Sequence, residues 1–268
     1  MKNRDLFLLR IAVCAALLLA PVQLFAVQGP QDVSSTAHNL AYSFSNPRQW
    51  SSDDPALGPG TEEVCVFCHT PHNAGGELPL WNRYSSSGSK PFLMYSSSAT
   101  LTTATKQNAG LSADSPSRLC LSCHDGTTAI NALINTSATG GGRPDFAGTS
   151  DTSFAMTGAY DEGEGAYLGT NLTNSHPINF NYNDAQVEET TAGLKTIAVV
   201  KTDLKFFDDD GDGTAEFMEC ATCHDPHVSY GWLTTQGGLP SGTGDLRYTP
   251  FLRKPNVSSA LCLTCHNK

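Results

Sequence analysis

Cys65-Val66-Phe67-Cys68-His69 is the stretch that decides this fold, because three later segments of the chain repeat its pattern. The pattern C-x-x-C-H returns at Cys120–His124, at Cys220–His224 and at Cys262–His266. It is the attachment motif of c-type haem, in which two thiols add to the vinyl groups and the following His reaches one face of the iron. One copy is weak evidence, whereas four copies that each end in His predict four covalently bound haem c groups.

Cysteine usage agrees with this interpretation. Of the nine Cys, Cys14 lies in an apolar N-terminal segment and the other eight form the four pairs, so none remains for a disulfide. The predicted haem-attaching residues are Cys65, Cys68, Cys120, Cys123, Cys220, Cys223, Cys262 and Cys265. Zinc sites and redox disulfides also use C-x-x-C pairs. A zinc site, however, would take two pairs per metal and would leave the His that ends each motif unexplained.

Histidines supply the predicted axial ligands of the iron. Four His complete the motifs and four lie outside them, which predicts two His on every iron. The motif histidines are His69, His124, His224 and His266, and the spare ones are His38, His72, His176 and His227. Met94, Met156 and Met218 are alternative soft ligands, although filling an apolar core is the simpler role for Met.

The spacing of two spare histidines limits which haem they can serve. His72 follows His69 by three residues, and His227 follows His224 by three. Three extended residues reach roughly 10 Å, which is too short to pass around a porphyrin edge and return to the same iron. His72 and His227 are therefore expected to bind a haem other than the one they follow, which would bring two haems into close contact.

An internal repeat divides the chain into two halves. Each half contains a spare His, then C-x-x-C-H-x-P-H, then L-C-L-x-C-H, starting from His38 in the first half and from His176 in the second. The repeat predicts a first dihaem module over residues 27–150 and a second over residues 151–268. The boundary is expected in the Gly-rich stretch 139–149.

The same repeat suggests which His serves which haem. His72 would bind the haem of the second motif, and His227 would bind the haem of the fourth. His38 and His176 would bind the haem of the first motif in one half or the other, and the sequence leaves that choice open.

Residues 1–26 have the parts of a secretory signal, namely a basic start, an apolar core over 11–20 and the small residue Ala26 before the cleavage point. The apolar core is short for a bilayer, so no retained membrane span is expected. Export fits the motifs, since bacteria attach haem to C-x-x-C-H outside the cytoplasm.

Composition predicts the fold class. Only 39% of the chain is hydrophobic, and Gly, Ser, Thr, Asn and Pro are abundant. With roughly 60 residues for each haem, a protein core alone would be marginal, and the haem plates would supply the missing apolar interior. The sequence therefore predicts a mostly irregular, loop-rich multihaem fold with short α-helices at the haem motifs and little β structure.

An acidic segment over residues 208–219 follows the calcium-loop pattern D-x-D-x-D-G-x5-E. The expected ligands are the carboxylates of Asp208, Asp210 and Asp212, the carbonyl of Thr214, a direct or water-mediated contact from Glu216, and a bidentate carboxylate from Glu219. The alternative is a solvated acidic turn that binds no ion. Cys220 follows directly, so a calcium ion here would brace the third haem motif.

The motifs C-x-x-C-H-x-P-H and L-C-L-S-C-H-D-G resemble those of the doubled-CxxCH multihaem cytochromes, and among these the OmcE-like tetrahaem subunits of extracellular filaments. The resemblance rests on Cys65–Ala74, Leu80–Asn82, Leu119–Thr127, Leu168–Tyr182 and Glu219–His227. It implies a loop-rich subunit, bis-His haems in alternating stacked and T-shaped pairs, and a homopolymer with haems continuous across subunits. It also implies that one axial His comes from the adjoining subunit, for which His38 is the candidate. The acidic segment 208–219 is an addition to this pattern.

These features predict an electron-transfer protein rather than an enzyme, because bis-His iron has no open position for a substrate. The expected location is extracellular, at the cell surface, with other multihaem cytochromes and acceptors such as metal oxides as partners. The formal net charge of −10 argues against nucleic-acid binding. One alternative is a soluble periplasmic electron carrier. Another is a multihaem reductase, whose five-coordinate haem often uses C-x-x-C-K, a motif that this sequence lacks.

Overall fold

The computed structural model describes residues 33–40, 63–75, 80–83, 92–96, 101–106, 111–128, 130, 133–135, 167–188, 193–228, 246–248 and 250–267. These ranges contain all four C-x-x-C-H motifs and all eight His. The expected signal over 1–26, the expected module boundary over 139–149 and Met156 lie outside the described residues. Within the described ranges, none of the helices has the length and apolar character that crossing a bilayer requires.

Helices and strands are short in the described part of the chain. The helices are α1 (Ser117–His124), α2 (Tyr182–Glu188), α3 (Ile197–Val200), α4 (Cys220–Cys223) and α5 (Cys262–Cys265). Short 3-10 turns cover Val33–Ser35, Cys65–Phe67, Leu246–Tyr248 and Val257–Ser259. Two strands, β1 (Phe180–Asn181) and β2 (Phe217–Met218), pair antiparallel, with Phe180 opposite Met218. The multihaem class itself stays a prediction.

Every C-x-x-C-H motif lies in a helical turn. At the first motif the N–H of His69 donates to the carbonyl of Cys65 at 2.8 Å, and the third and fourth motifs repeat this bond at 3.0 Å. Residues three apart on a helical turn share one face, so both thiols of a motif can point the same way. At the third motif Glu219 and Thr222 form a reciprocal capping box that starts α4.

The apolar core consists of three small clusters, each built around motif residues. The first contains Phe180, Tyr182, Ala185, Val200, Leu204, Phe206, Met218 and Cys265. The second contains Phe92, Met94, Tyr95, Leu111, Leu121, Leu172 and Ile178, with Cys220 packed against it. The third is Phe67 with Ile130, against which Cys68 packs. Met94 and Met218 are thus buried in apolar clusters.

The two halves of the chain interleave. Leu93 of the first half pairs with the second half, where its N–H donates to Thr170 and its carbonyl accepts from Leu172, both at 2.9 Å. The hydroxyl of Tyr95 donates to the carbonyl of His176 at 2.7 Å. The second apolar cluster also draws residues from both halves. Packing therefore crosses the boundary that the repeat predicts.

Replacing Gly126 with alanine is expected to lower the free energy of unfolding by about 2–4 kcal/mol. Gly126 follows α1 with φ +68°, and a Cβ there would overlap the ring of Tyr167. Gly211 is a matched control, since its φ is +74° and a Cβ would meet nothing within 4 Å. Gly211→Ala should cost only about 1 kcal/mol of backbone strain in a denaturant titration. Equal losses in the two variants would show that Tyr167 does not pack on Gly126.

Candidate haem and metal sites

None of the eight motif cysteines forms a disulfide. Burial raises the pKa of Cys68 to about 12 and that of Cys223 to about 12, so these thiols are neutral. Among the described residues, which include every motif Cys and His, the one group of three or more donors that could hold a metal ion is Asp208, Asp210 and Asp212. The Cys pairs therefore do not gather into the four-ligand cluster of a zinc site.

Two spare histidines face motif histidines. The rings of His69 and His227 lie 6.2 Å apart between centroids, with an interplanar angle of 13°. The rings of His38 and His124 lie 6.1 Å apart at 76°. Each pair combines one motif His with one spare His, and each crosses a long stretch of sequence.

These separations fit a bis-His iron. Two imidazoles on opposite faces of one metal have ring centres about 6 Å apart, because each metal–nitrogen bond is about 2.0–2.1 Å long. Ordinary aromatic contacts span about 4.5–7 Å, so the distance alone is not specific. The identity of the partners supplies the specificity, since a motif His meets a spare His in both cases. The two pairs of histidines therefore fit the haem that the motifs imply.

His38 is packed as a metal-binding imidazole would be. Its ring stacks on Phe251 at 4.2 Å and has the backbone of Pro226 within hydrogen-bonding reach, while its Nδ1 is sealed from solvent without a hydrogen-bond partner among the described residues. A buried polar atom without a partner is unusual in a folded protein and points to a missing partner such as a metal or a water. Burial, with the nearby charge of His124, lowers the pKa of His38 to about 3. The ring is therefore neutral, as metal ligation requires.

Three other histidines are held through Nδ1. His224 contacts the carbonyl of Pro250 at 2.8 Å, and His176 contacts that of Pro177 at 2.8 Å. His227 contacts Oδ1 of Asp225 at 2.9 Å. Carbonyl and carboxylate oxygens accept hydrogen bonds, so we assign the proton to Nδ1, which leaves Nε2 bare. Metal-binding histidines are commonly oriented in this way by a second polar group.

Asp225 orients the ring of His227, and Arg253 in turn holds Asp225 in place. Arg253 donates to Oδ2 of Asp225 at 2.9 Å and to the carbonyl of Ala221 in α4 at 2.7 Å. Burial acts to raise the pKa of Asp225, but the hydrogen bonds from His227 and the charge of Arg253 lower it to about 2. Neither residue is specified by a motif that predicts haem binding. An available signal is the Asp in C-H-D-P-H, because Asp often bonds backbone N–H groups two residues ahead, as Asp225 does with His227 at 3.0 Å.

The pairing differs from the one that the repeat suggests. His227 was expected at the haem of the fourth motif, but it faces His69 of the first. For His38 the repeat left open which half's first motif it would serve. The structure places its ring opposite His124, which belongs to the second motif of the chain. Because the halves interleave, a ligand can lie nearer to a motif of the other half. The ring of His38 packs against His124 and Phe251 of its own chain. Its role as a ligand for a neighbouring subunit stays a prediction.

The remaining spare histidines, His72 and His176, are exposed. Within the described residues, neither has a ring contact with another His. The structure therefore does not bring His72 to the second motif, where the repeat places it. His224 and His266 complete the third and fourth motifs, and each follows its helix in extended backbone.

Cysteines of successive motifs lie near one another, in chain order. Cys68 of the first motif lies near enough to Cys123 of the second for their charges to interact. Cys120 of the second and Cys220 of the third lie within hydrogen-bonding reach. Cys223 of the third interacts in the same way with the two cysteines of the fourth motif. The attachment points thus form one continuous series.

A buried polar contact joins the second and third motifs. The carboxylate of Glu219, only 1% exposed, accepts hydrogen bonds from the hydroxyls of Ser117 and Ser115, the latter at 2.8 Å. The N–H of Cys220 donates to Ser117 at 2.9 Å. Burial raises the pKa of Glu219 to about 8. Both serine hydroxyls bind Oε2, while Oε1 is sealed from solvent without a hydrogen-bond partner among the described residues. Calcium binding by Glu219 stays a prediction.

The acidic loop keeps part of its predicted ligand set. Asp208, Asp210 and Asp212 each place a carboxylate oxygen within 4.8 Å of the others, at the surface. The N–H of Thr214 donates to Asp212 at 2.7 Å. Three of the expected carboxylates are thus together, and neither Glu216 nor Glu219 belongs to this group.

No family model matches this sequence, and a search of curated proteins found no match. The resemblance to multihaem cytochromes therefore rests on the motifs themselves.

Proposed function

We propose that this chain is a tetrahaem c-type cytochrome that conducts electrons, with each iron held between two His. The single observation that carries the proposal is that two spare histidines stand opposite motif histidines at 6.1 and 6.2 Å. It is an electron-transfer protein rather than an enzyme, because an iron with two axial His offers no position to a substrate. Haem supplies reversible one-electron chemistry when bound.

The residues of the chain have three tasks in this proposal. The cysteines of the four helical turns fix each haem by thioether bonds, and their order from the first motif to the fourth sets the order of the redox centres. The histidines close both faces of the iron. Carbonyl and carboxylate groups orient the rings, as Asp225 does for His227 and Pro250 does for His224.

Low-temperature EPR of the oxidised protein tests the proposal. All haem iron is expected to be low-spin, and the reduced protein should bind no CO, since every axial position is filled. A high-spin signal from a whole haem, or rapid CO binding, would contradict it and would favour the reductase alternative.

We further propose that the chain is exported and assembles into an extracellular filament. Two spare histidines, His38 and His227, face motif histidines of their own chain. The other two, His72 and His176, are exposed and have no ring contact with another His among the described residues. One of these two, or His38, is the candidate ligand for a haem of a neighbouring copy. Other multihaem cytochromes and metal oxides are the proposed electron partners.

The variants His72→Ala and His176→Ala test the filament, each serving as the control for the other. Electron microscopy of the secreted native protein should show filaments, and the variant that loses the bridging ligand should yield single subunits. That variant should also gain high-spin iron at one haem per chain. Native protein that stays monomeric would contradict the filament and would favour the soluble periplasmic carrier.

A further inference from the structure

A short segment near the end of the chain, residues 250–253, lies against the third haem motif. The N–H of Arg253 donates to the carbonyl of Cys223 at 2.8 Å, and Leu252 forms an antiparallel bridge with His224. The side chain of Leu252 is buried. Main-chain bonds therefore fix this segment to the motif, so that its carbonyls and side chains have set positions.

The first two residues of the segment each contact one histidine. The carbonyl of Pro250 accepts the hydrogen bond from Nδ1 of His224 at 2.8 Å. The ring of Phe251 stacks on that of His38, with centroids 4.2 Å apart and an interplanar angle of 21°. Phe251 has φ +56°, a left-handed conformation that is rare for a bulky residue and persists only where its surroundings hold it. The main-chain bonds of the segment and the stack on His38 provide that support.

Arg253 reaches a third histidine through Asp225. Its guanidinium donates to Oδ2 of Asp225 at 2.9 Å, while Oδ1 of the same carboxylate accepts from Nδ1 of His227 at 2.9 Å. A second donor of Arg253 binds the carbonyl of Ala221 at 2.7 Å, which anchors the guanidinium on α4. The side chains of Arg253 and Asp225 are only 15% and 16% exposed, so water screens their charges only in part. One segment thus acts on His224, His38 and His227, which belong to three different haem sites.

Two of these histidines belong to pairs with different ring angles. His227 is nearly parallel to His69, at 13°, and His38 is nearly perpendicular to His124, at 76°. The angle between two axial rings sets the splitting of the iron d orbitals. Parallel rings give a rhombic low-spin EPR signal, whereas perpendicular rings give a strongly anisotropic one. The two contacts can therefore be followed by two separate signals.

We propose that residues 250–253 orient axial histidines of three haems, and that Arg253 and Asp225 together set the reduction potential of the haem bound by His227. The inference rests on the proposed function, since it takes these histidines to be iron ligands. A bond from Nδ1–H to a carboxylate makes an imidazole a stronger donor, which favours oxidised iron. The positive charge of Arg253 opposes this effect. Both are positioning residues, because they act on the iron only through His227.

Spectroelectrochemistry of the full-length haem-loaded protein tests the control of the potential. Asp225→Asn keeps an acceptor for His227 but removes the negative charge, so the potential of one haem should shift upward. Arg253→Gln should shift the potential of the same haem downward, because Asp225 loses the cation that neutralises it. Arg253→Lys should restore most of the wild-type value. A merely structural role would not give shifts of opposite sign, since loosening the ligand moves the potential in the same direction in both variants.

EPR of the oxidised protein tests the contact with Phe251. Phe251→Leu keeps an apolar side chain but removes the ring that stacks on His38, so the strongly anisotropic signal should shift while the rhombic signal stays. Lys254→Gln is the matched control. It removes one positive charge from the next residue, whose side chain pairs with Asp203 instead, and should leave both signals and all potentials unchanged.

The outcomes separate this inference from the proposed function. In a wild-type protein with four low-spin haems, shifts of the same sign in Asp225→Asn and Arg253→Gln, or no shift, would overturn the inference and leave the proposed function standing. An unchanged anisotropic signal in Phe251→Leu, or a shift in Lys254→Gln equal to that in Arg253→Gln, would overturn it as well. A wild-type protein without low-spin haem would overturn the proposed function, and this inference with it.

Discussion

Replacing His227 with alanine is expected to convert one haem per chain from low-spin to high-spin iron and to create one CO-binding position per chain. His227 is the spare His that faces His69, at 6.2 Å between ring centroids, with its Nε2 left bare by the bond from Nδ1 to Asp225. Alanine removes the imidazole and offers no replacement ligand. EPR and CO titration of the purified variant measure both effects, and added imidazole should restore the low-spin signal.

Asp225→Asn is the matched control for this experiment. It keeps the imidazole of His227 and removes only the charge that orients it, so the iron should remain six-coordinate. If His227→Ala left all haems low-spin, the pairing with His69 would be wrong. The pairing would also be wrong if NMR of the haem methyl groups placed the open position at the fourth motif, as the repeat suggests, instead of at the first.

Replacing Arg83 with methionine is expected to lower the free energy of unfolding by about 3–5 kcal/mol, since hydrogen bonds from charged donors contribute about 1.5–3 kcal/mol each. Arg83 is fully buried and donates to the carbonyl of Ile130 and, at 2.8 Å, to that of Ser122 in α1. It thereby ties the segment after the first motif to the helix of the second. Methionine would fill the volume but would leave both buried carbonyls without these donors.

Arg83→Lys separates the charge from the geometry. Lysine keeps the cation but cannot form the planar fork that reaches two carbonyls at once, so an intermediate loss is expected. Denaturant titrations of both variants give the free energies. A methionine variant as stable as the wild type would show that Arg83 does not hold the first and second motifs together. If the lysine and methionine variants lost the same free energy of unfolding, the whole effect would come from the planar guanidinium and not from the charge.

The helical turns of the motifs and the acidic loop could be predicted from the sequence, because each depends on residues that are close together in the chain. A Cys three residues before another Cys, followed by His, fits one helical turn, and the structure places such a turn at each motif, for example at Cys262–Cys265. The acidic loop is similar, since Asp208, Asp210 and Asp212 are close in sequence and meet through a single tight turn.

Contacts between residues that are far apart in the chain could not be predicted in this way. The partner of His227 depends on how the two halves interleave, and the repeat contains no information about packing between its copies. Glu219 shows the same limit, because its register matches a calcium ligand while Ser115 and Ser117, far earlier in the chain, bind one oxygen of its carboxylate. Asp225 and Arg253 were missed for a related reason, as their roles arise only when α4 meets the segment after it.

The haem content of the purified, exported chain is the most direct test of whether the four motifs carry haem c. Intact-mass analysis under denaturing conditions, together with haem quantification, should give four covalently attached haems per polypeptide, one at each of the four motifs. Fewer than four attached haems, or zinc in place of iron, would contradict the account.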